Sequence, residues 1–214
     1  MNSTMNRTSW RFDARNGMTM RNPRPELPSG AGVTEALDLP VDELRRAFAT
    51  HEAGHVLVLL HSGIPFEAVF IRDDLSLVPD RAGSGGAVVL GPCSAPLRTG
   101  LTMLAAGERA QDRWLRETGR WTTRRGWVTE LSAINDRREI YRAVYEASGR
   151  NVTFGASDDP CRDLAALHDH TDALLDTLWD RVTRLAEALD RRGRLTCGQA
   201  AAAAGLFPKA GWQQ

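Results

Sequence analysis

Residues His51-Glu52-Ala53-Gly54-His55 form an HExxH motif within a run whose apolar residues have helical spacing. On a helix, four residues turn a side chain by only about 40° and raise it ~6 Å, so both imidazoles leave one face and can share one metal ion. Glu52 then stands beside that ion. A carboxylate placed there can take a proton from a metal-bound water, which is how zinc hydrolases make a nucleophile at neutral pH. The chemistry expected is hydrolysis, with Zn2+ held by His51 and His55 and with Glu52 as the general base.

Two histidines leave such a site short of a ligand, because a catalytic zinc takes three protein ligands and keeps one open position. His61 has the spacing of the last histidine in HExxHxxGxxH, but Val58 stands where that pattern needs a chain-turning glycine. On a continuing helix His61 lies ~9 Å beyond His55 and is rotated about 120° from it, which suits a helix end better than a metal. Glu108, in Ala106-Gly107-Glu108-Arg109-Ala110, is a second option and reads more simply as a solvated helix charge. Aspartates near helix starts are the third: Asp136 in Asn135-Asp136 and Asp159 in Asp158-Asp159, each equally suited to capping a helix. His168 and His170 flank the stripe of a long helix and read as surface or edge residues.

The motif helix has start signals at Asp38 and Leu39-Pro40, apolar residues at Val41, Leu44, Phe48, Val56 and Leu60, and a stop at Ser62-Gly63. Residues 66–71 and 86–90 read as short strands, joined by a turn-rich stretch through Asp73-Asp74, Pro79-Asp80 and residues 83–86. Residues 97 to about 117 read as a second helix. Its Gly107, with Gly54 of the motif helix, marks either a close approach of two helices or a tolerated weak spot. Residues 119–127 form an arginine-rich loop holding Trp121 and Trp127, which covers a cleft or packs on the surface.

A third helix is expected from Asp136 to about Ala147. The longest follows, with a stripe of Leu164, Leu167, Leu174, Leu175, Leu178, Val182, Leu185 and Leu189 that stops at Arg191-Arg192-Gly193. Thr196 can cap a last short helix ended by Gly205. The fold class is therefore mainly α (α+β), a helical bundle with a small β-sheet beside the HExxH helix.

The chain has 214 residues, 42% of them apolar, enough for a real core in one domain. Residues 1–37 lack apolar periodicity and read as an arm that is disordered or ordered only on a partner. The packed domain spans 38–208, and 209–214 is a tail. Net charge is zero, so nothing calls for nucleic acid or an anionic membrane. Without an N-terminal apolar leader or an apolar run long enough for a bilayer, the expectation is a cytoplasmic protein. Cys93, Cys161 and Cys197 fit neither a disulfide framework nor a CxxC metal site.

Thr50-His51-Glu52-Ala53-Gly54-His55 resembles the HEAGH helix start of the peptidase domain of FtsH-type ATP-dependent zinc proteases. Val69-Phe70-Ile71 and Gly86-Ala87-Val88 are similar to that family's strand and Gly-containing edge strand. Residues 104–112 are similar to its small-residue helix, and residues 173–195 to its last long helix. The resemblance spans roughly residues 40–200, close at the motif and loose elsewhere. It implies a third zinc ligand from an Asn-Asp pair that follows small residues and opens a helix.

Ser132-Ala133-Ile134-Asn135-Asp136 is similar in order and pair, whereas Gly155-Ala156-Ser157-Asp158-Asp159 matches the small residues but has Asp for Asn. Registering the last helix on Leu174-Leu175 puts Asp159 inside its start, so Asp136 is preferred. The resemblance further implies peptide hydrolysis, with substrate added as a strand along Gly86, Ala87 and Val88. The phosphate loop of the family's ATPase module is missing from this sequence, which points to flexible peptides or one dedicated protein partner as substrate. Two rival readings are a catalytically silent, metallopeptidase-like binding or regulatory protein, and a DNA-binding role for residues 195–206. The oligomeric state is not legible.

Overall fold

The computed structural model describes residues 10–26, 33–72, 85–91 and 94–206. The turn-rich stretch before Gly85, Cys93 and the tail at 209–214 lie outside the described residues. Along the chain run β1 (Arg11–Asp13), β2 (Met18–Met20), α1 (Val33–Leu37), α2 (Val41–Ser62), β3 (Ala68–Ile71) and β4 (Gly86–Val89). They are followed by α3 (Leu97–Glu117), α4 (Thr123–Ser132), α5 (Ile134–Ser148), α6 (Leu164–Arg192), β5 (Arg194–Thr196) and α7 (Cys197–Ala203). The architecture is mainly α, a helical bundle with two small antiparallel sheets. No helix among the described residues is long and apolar enough to cross a membrane.

The HExxH helix, α2, is the axis of the molecule. Every residue from Ala47 to Leu60 is buried, so the helix carries no solvent face over that length, and α3, α6 and β3 all pack on it. Such a helix needs small residues where neighbours cross. A Cβ on Gly54 would overlap the Ala106 carbonyl oxygen and stand 2.9 Å from the Ala110 methyl. Gly54 therefore marks a close approach of α2 and α3, and Gly63, with φ 73°, ends α2.

The three-stranded sheet has the order β4-β3-β5, with Ala68 opposite Val89 on one side and Thr196 on the other. β5 was not legible: three residues between Gly193 and α7, the last of them the Thr196 cap, are too few to show a period of two. Thr196 and Gln199 form a capping box at the start of α7, and residues 195–206 supply the end of a strand and a short helix packed on the core.

Two expectations need correction. Residues 1–37 are not simply a disordered arm: β1 and β2 form a hairpin whose Met18 and Met20 are buried, and α1 buries Val33, Ala36 and Leu37. The hairpin's partners lie more than a hundred positions away and those of α1 88 or 89 positions away, so no local apolar period announces them. The arginine-rich loop of 119–127 is likewise half helix. Thr122 caps α4 by accepting from the Arg125 N–H, and Trp127 is 1% exposed in the core. Arg124 and Arg125 donate to the carbonyls of Ala36 and Leu37 at the end of α1, while Trp121 Nε1 donates to Asp112.

Candidate metal centre

α2 carries His51 and His55 on one face, with ring centroids 4.8 Å apart. Asp136 reaches them from the first turn of α5. Its Oδ2 lies 3.4 Å from His51 Nε2 and 3.7 Å from His55 Nε2, and the three ligand atoms lie within 4.8 Å of one another. Two donors each ~2.1 Å from a tetrahedral ion stand ~3.4 Å apart, so the separations suit a shared metal ion.

The other ring nitrogens are already held. His51 Nδ1 meets Gln111 Oε1 at 3.1 Å and His55 Nδ1 meets the Met103 carbonyl oxygen at 2.7 Å. Oxygen acceptors there put the protons on Nδ1 and turn both Nε2 lone pairs toward Asp136, the arrangement that orients metal-binding histidines. Both acceptors belong to α3. That helix can come this near only because of Gly107, where a Cβ would overlap His55 Nε2 and lie 2.6 Å from His51 Nε2. Gly107 is thus the floor of the site, the reading that sequence left undecided. Gln111 was missed because glutamine in a helix carries no signal of its own.

When the rings are instead protonated on both nitrogens, the charge of His55 and the hydrogen bond and charge of His51 outweigh the upward push of burial on Asp136 and hold its pKa below the ordinary carboxylate range. Glu52 behaves oppositely. Desolvation, opposed by His55 and reinforced by Asp136, lifts it to about 7, the range that suits a group exchanging protons near neutrality. β4 crosses directly above it: a Cβ on Gly86 would stand 2.7 Å from Glu52 Cγ and 2.5 Å from the Phe70 carbonyl oxygen.

A cleft of ≈ 240 Å³ opens on these groups, lined by His51, Glu52, His55 and Asp136 on one wall and by Gly86, Ala87 and Val88 on another. Val33, Phe48, Leu90, Met103 and Leu104 add apolar surface. β4 has only β3 as a strand neighbour among the described residues. The Arg72 N–H donates to the Gly85 carbonyl. By antiparallel alternation Ala87 and Val89 also turn their main-chain groups to β3, while those of Gly86 and Val88 face outward along the cleft.

The remaining candidates are elsewhere. His61 is exposed at the end of α2. Glu108 is neither ligand nor solvated charge, but a buried partner of Arg137. Asp159 accepts from the Cys161 N–H in the loop before α6; that helix starts at Leu164, so Asp159 is set aside because the group of possible ligands gathers Asp136 with the histidines and not Asp159, rather than by lying inside the helix. His168 is buried rather than a surface residue, kept neutral by desolvation and by Arg109, Arg21 and Arg137, whereas His170 is exposed. Compared with known proteins, the chain matches no protein-family model and no curated protein.

Proposed function

We propose that the chain is a zinc metallopeptidase that hydrolyses peptide bonds in flexible polypeptides, similar in its site to the peptidase domain of FtsH-type proteases. One observation carries the reading: two imidazole Nε2 atoms and one aspartate oxygen converge beside a buried glutamate, directly under a strand edge that has no strand partner among the described residues. The donor set, two histidines and a carboxylate, is one that zinc hydrolases use. When bound, zinc supplies Lewis acidity, polarising a carbonyl and making a water more acidic.

The chain's own residues then have distinct tasks. A substrate strand pairs with the outward main-chain groups of Gly86 and Val88, which sets its direction and places one of its carbonyls over the histidines. Glu52 accepts a proton from the attacking water and returns it to the leaving nitrogen. Asp136, charged and close to both rings, keeps the imidazoles in their binding orientation. The apolar wall of Phe48, Leu90, Met103 and Leu104 excludes bulk water from the reacting atoms.

The test is Glu52→Gln. The purified wild type is expected to bind zinc stoichiometrically and to cleave unstructured peptides in a chelator-sensitive way. The variant keeps the metal and loses cleavage by ~100-fold or more. A wild type that binds zinc but cleaves none of a broad peptide mixture would favour the silent, partner-binding alternative, and cleavage undiminished by Glu52→Gln would end the mechanism.

A further inference from the structure

The β1–β2 hairpin takes no part in the chemistry above, yet it is fastened to the residue next to a metal ligand. Arg137 follows Asp136 and is 1% exposed. All its N–H groups are engaged. Nε and Nη2 donate to the two oxygens of Glu108 at 2.6 and 2.7 Å, and Nη2 also donates to Glu130 Oε2 at 3.1 Å. Nη1 donates to the Thr19 carbonyl of β2 at 2.8 Å and to Met20 Sδ at 3.6 Å.

The partners complete a circuit around the metal centre. Glu108 follows Gly107, the floor on which both Nε2 atoms rest. One guanidinium therefore ties the residue after the third ligand to the residue after the floor. Two carboxylates around one guanidinium leave the oxygens of Glu130 in need of further donors. The hairpin's end supplies them. Arg21 N–H, Asn22 N–H and the Asn22 side-chain amide donate to Glu130 at 2.7, 2.9 and 2.5 Å.

α5 has need of such a hold. Its N-cap is Ala133, which makes no side-chain cap hydrogen bond, and an uncapped start is worth ~1 kcal/mol less than a capped one. Asp136 sits in that uncapped first turn. A shift there moves the third ligand directly.

We propose that the N-terminal hairpin, acting through Glu130, Arg137 and Glu108, positions Asp136 against His51 and His55 and so tunes the metal centre from outside its ligand sphere. This rests on the reading of the triad as a metal site. Arg137 and Glu130 are positioning residues; neither reaches the cleft.

The experiment uses the full chain and its Arg137→Lys and Glu130→Gln variants, loaded with Zn2+ in competition with a chelator and, separately, with Co2+ for its visible spectrum. Leu189→Ala, in the core of α6 away from the network, is the control for stability lost without repositioning. Expected are ~10-fold weaker zinc binding in each network variant, the size usual for partners behind metal ligands, and an altered Co2+ spectrum. The control should keep the wild-type affinity and spectrum.

Network variants with wild-type affinity and spectrum overturn the inference, as does a control that changes them equally. Should Arg137→Lys fail to fold, Glu130→Gln decides alone, because it leaves the Arg137–Glu108 pair in place. A wild type that binds neither ion overturns the metal-site reading and this inference with it, whereas a wild type that binds while the variants match it overturns this inference only.

Discussion

At the scale of single residues, the site depends on one missing side chain as much as on those present. Gly107 leaves the space into which two imidazole nitrogens point, and no larger residue can share it. Gly107→Ala is expected to cost ~1–3 kcal/mol of stability through overpacking. It should weaken zinc binding by more than the ~10-fold expected for a lost supporting contact, while circular dichroism still reports a helical protein. Isothermal titration with zinc checks this, and wild-type affinity would show that the floor yields. The contrast between Glu52 and Asp136 belongs to the same scale. Both are carboxylates near the same histidines, Glu52 buried and Asp136 half-buried, yet Asp136 is held charged by them while Glu52, set against β4, is lifted toward neutrality. These environments suit the roles proposed for them, one holding a cation and the other carrying a proton.

At the scale of elements, the loop before α6 contains a second buried carboxylate with a structural task. Asp163 is 1% exposed and accepts from the N–H groups of Gly155, Ala156, Ala165 and Ala166 and from the Thr153 hydroxyl. It thereby caps α6 and ties the loop at once. Burial would raise its pKa, but these donors outweigh burial and lower it. A folded pKa below the unfolded value means stability present above the unfolded pKa of about 4 and lost as pH falls through the folded one. Urea midpoints should show wild type ahead of Asp163→Asn by ~1–3 kcal/mol near neutrality, with the gap closing in acid; a pH-independent gap would contradict the assignment.

Elements of this kind also show what was legible. α2 and α3 were read to within a residue or two, and α6 by its stripe and its end though not by its start, because long helices repeat their apolar period and end at glycines or arginines. Asp136 was legible only through the Asn135-Asp136 resemblance, since spacing alone left Asp159, Glu108 and His61 open. The hairpin, β5 and α4 were not, because each is short and takes its stability from residues far along the chain. Gln111 and Arg137 escaped for the same reason: what makes them matter is the neighbour brought to them by folding.

At the scale of the whole molecule, the candidate ligands come from α2 and α5, both of which pack on α3, so binding an ion should stabilise the entire domain. At a free zinc concentration ~1,000 times the dissociation constant the gain is ~4 kcal/mol. A thermal scan with and without chelator should show one transition that moves as a unit; two transitions moving separately would mean that the metal centre and the bundle unfold independently. The hairpin's anchorage has a further bearing on how the molecule is made. Thr19 and Arg137 are 118 positions apart, and the histidine pair precedes Asp136 by some eighty residues of sequence. During synthesis the two ends of this arrangement leave the ribosome at different times. The hairpin waits without its anchor, and the histidines without their third ligand, until α5 has emerged. Under the proposed function, a chain ordered in this way would stay silent through most of its own translation.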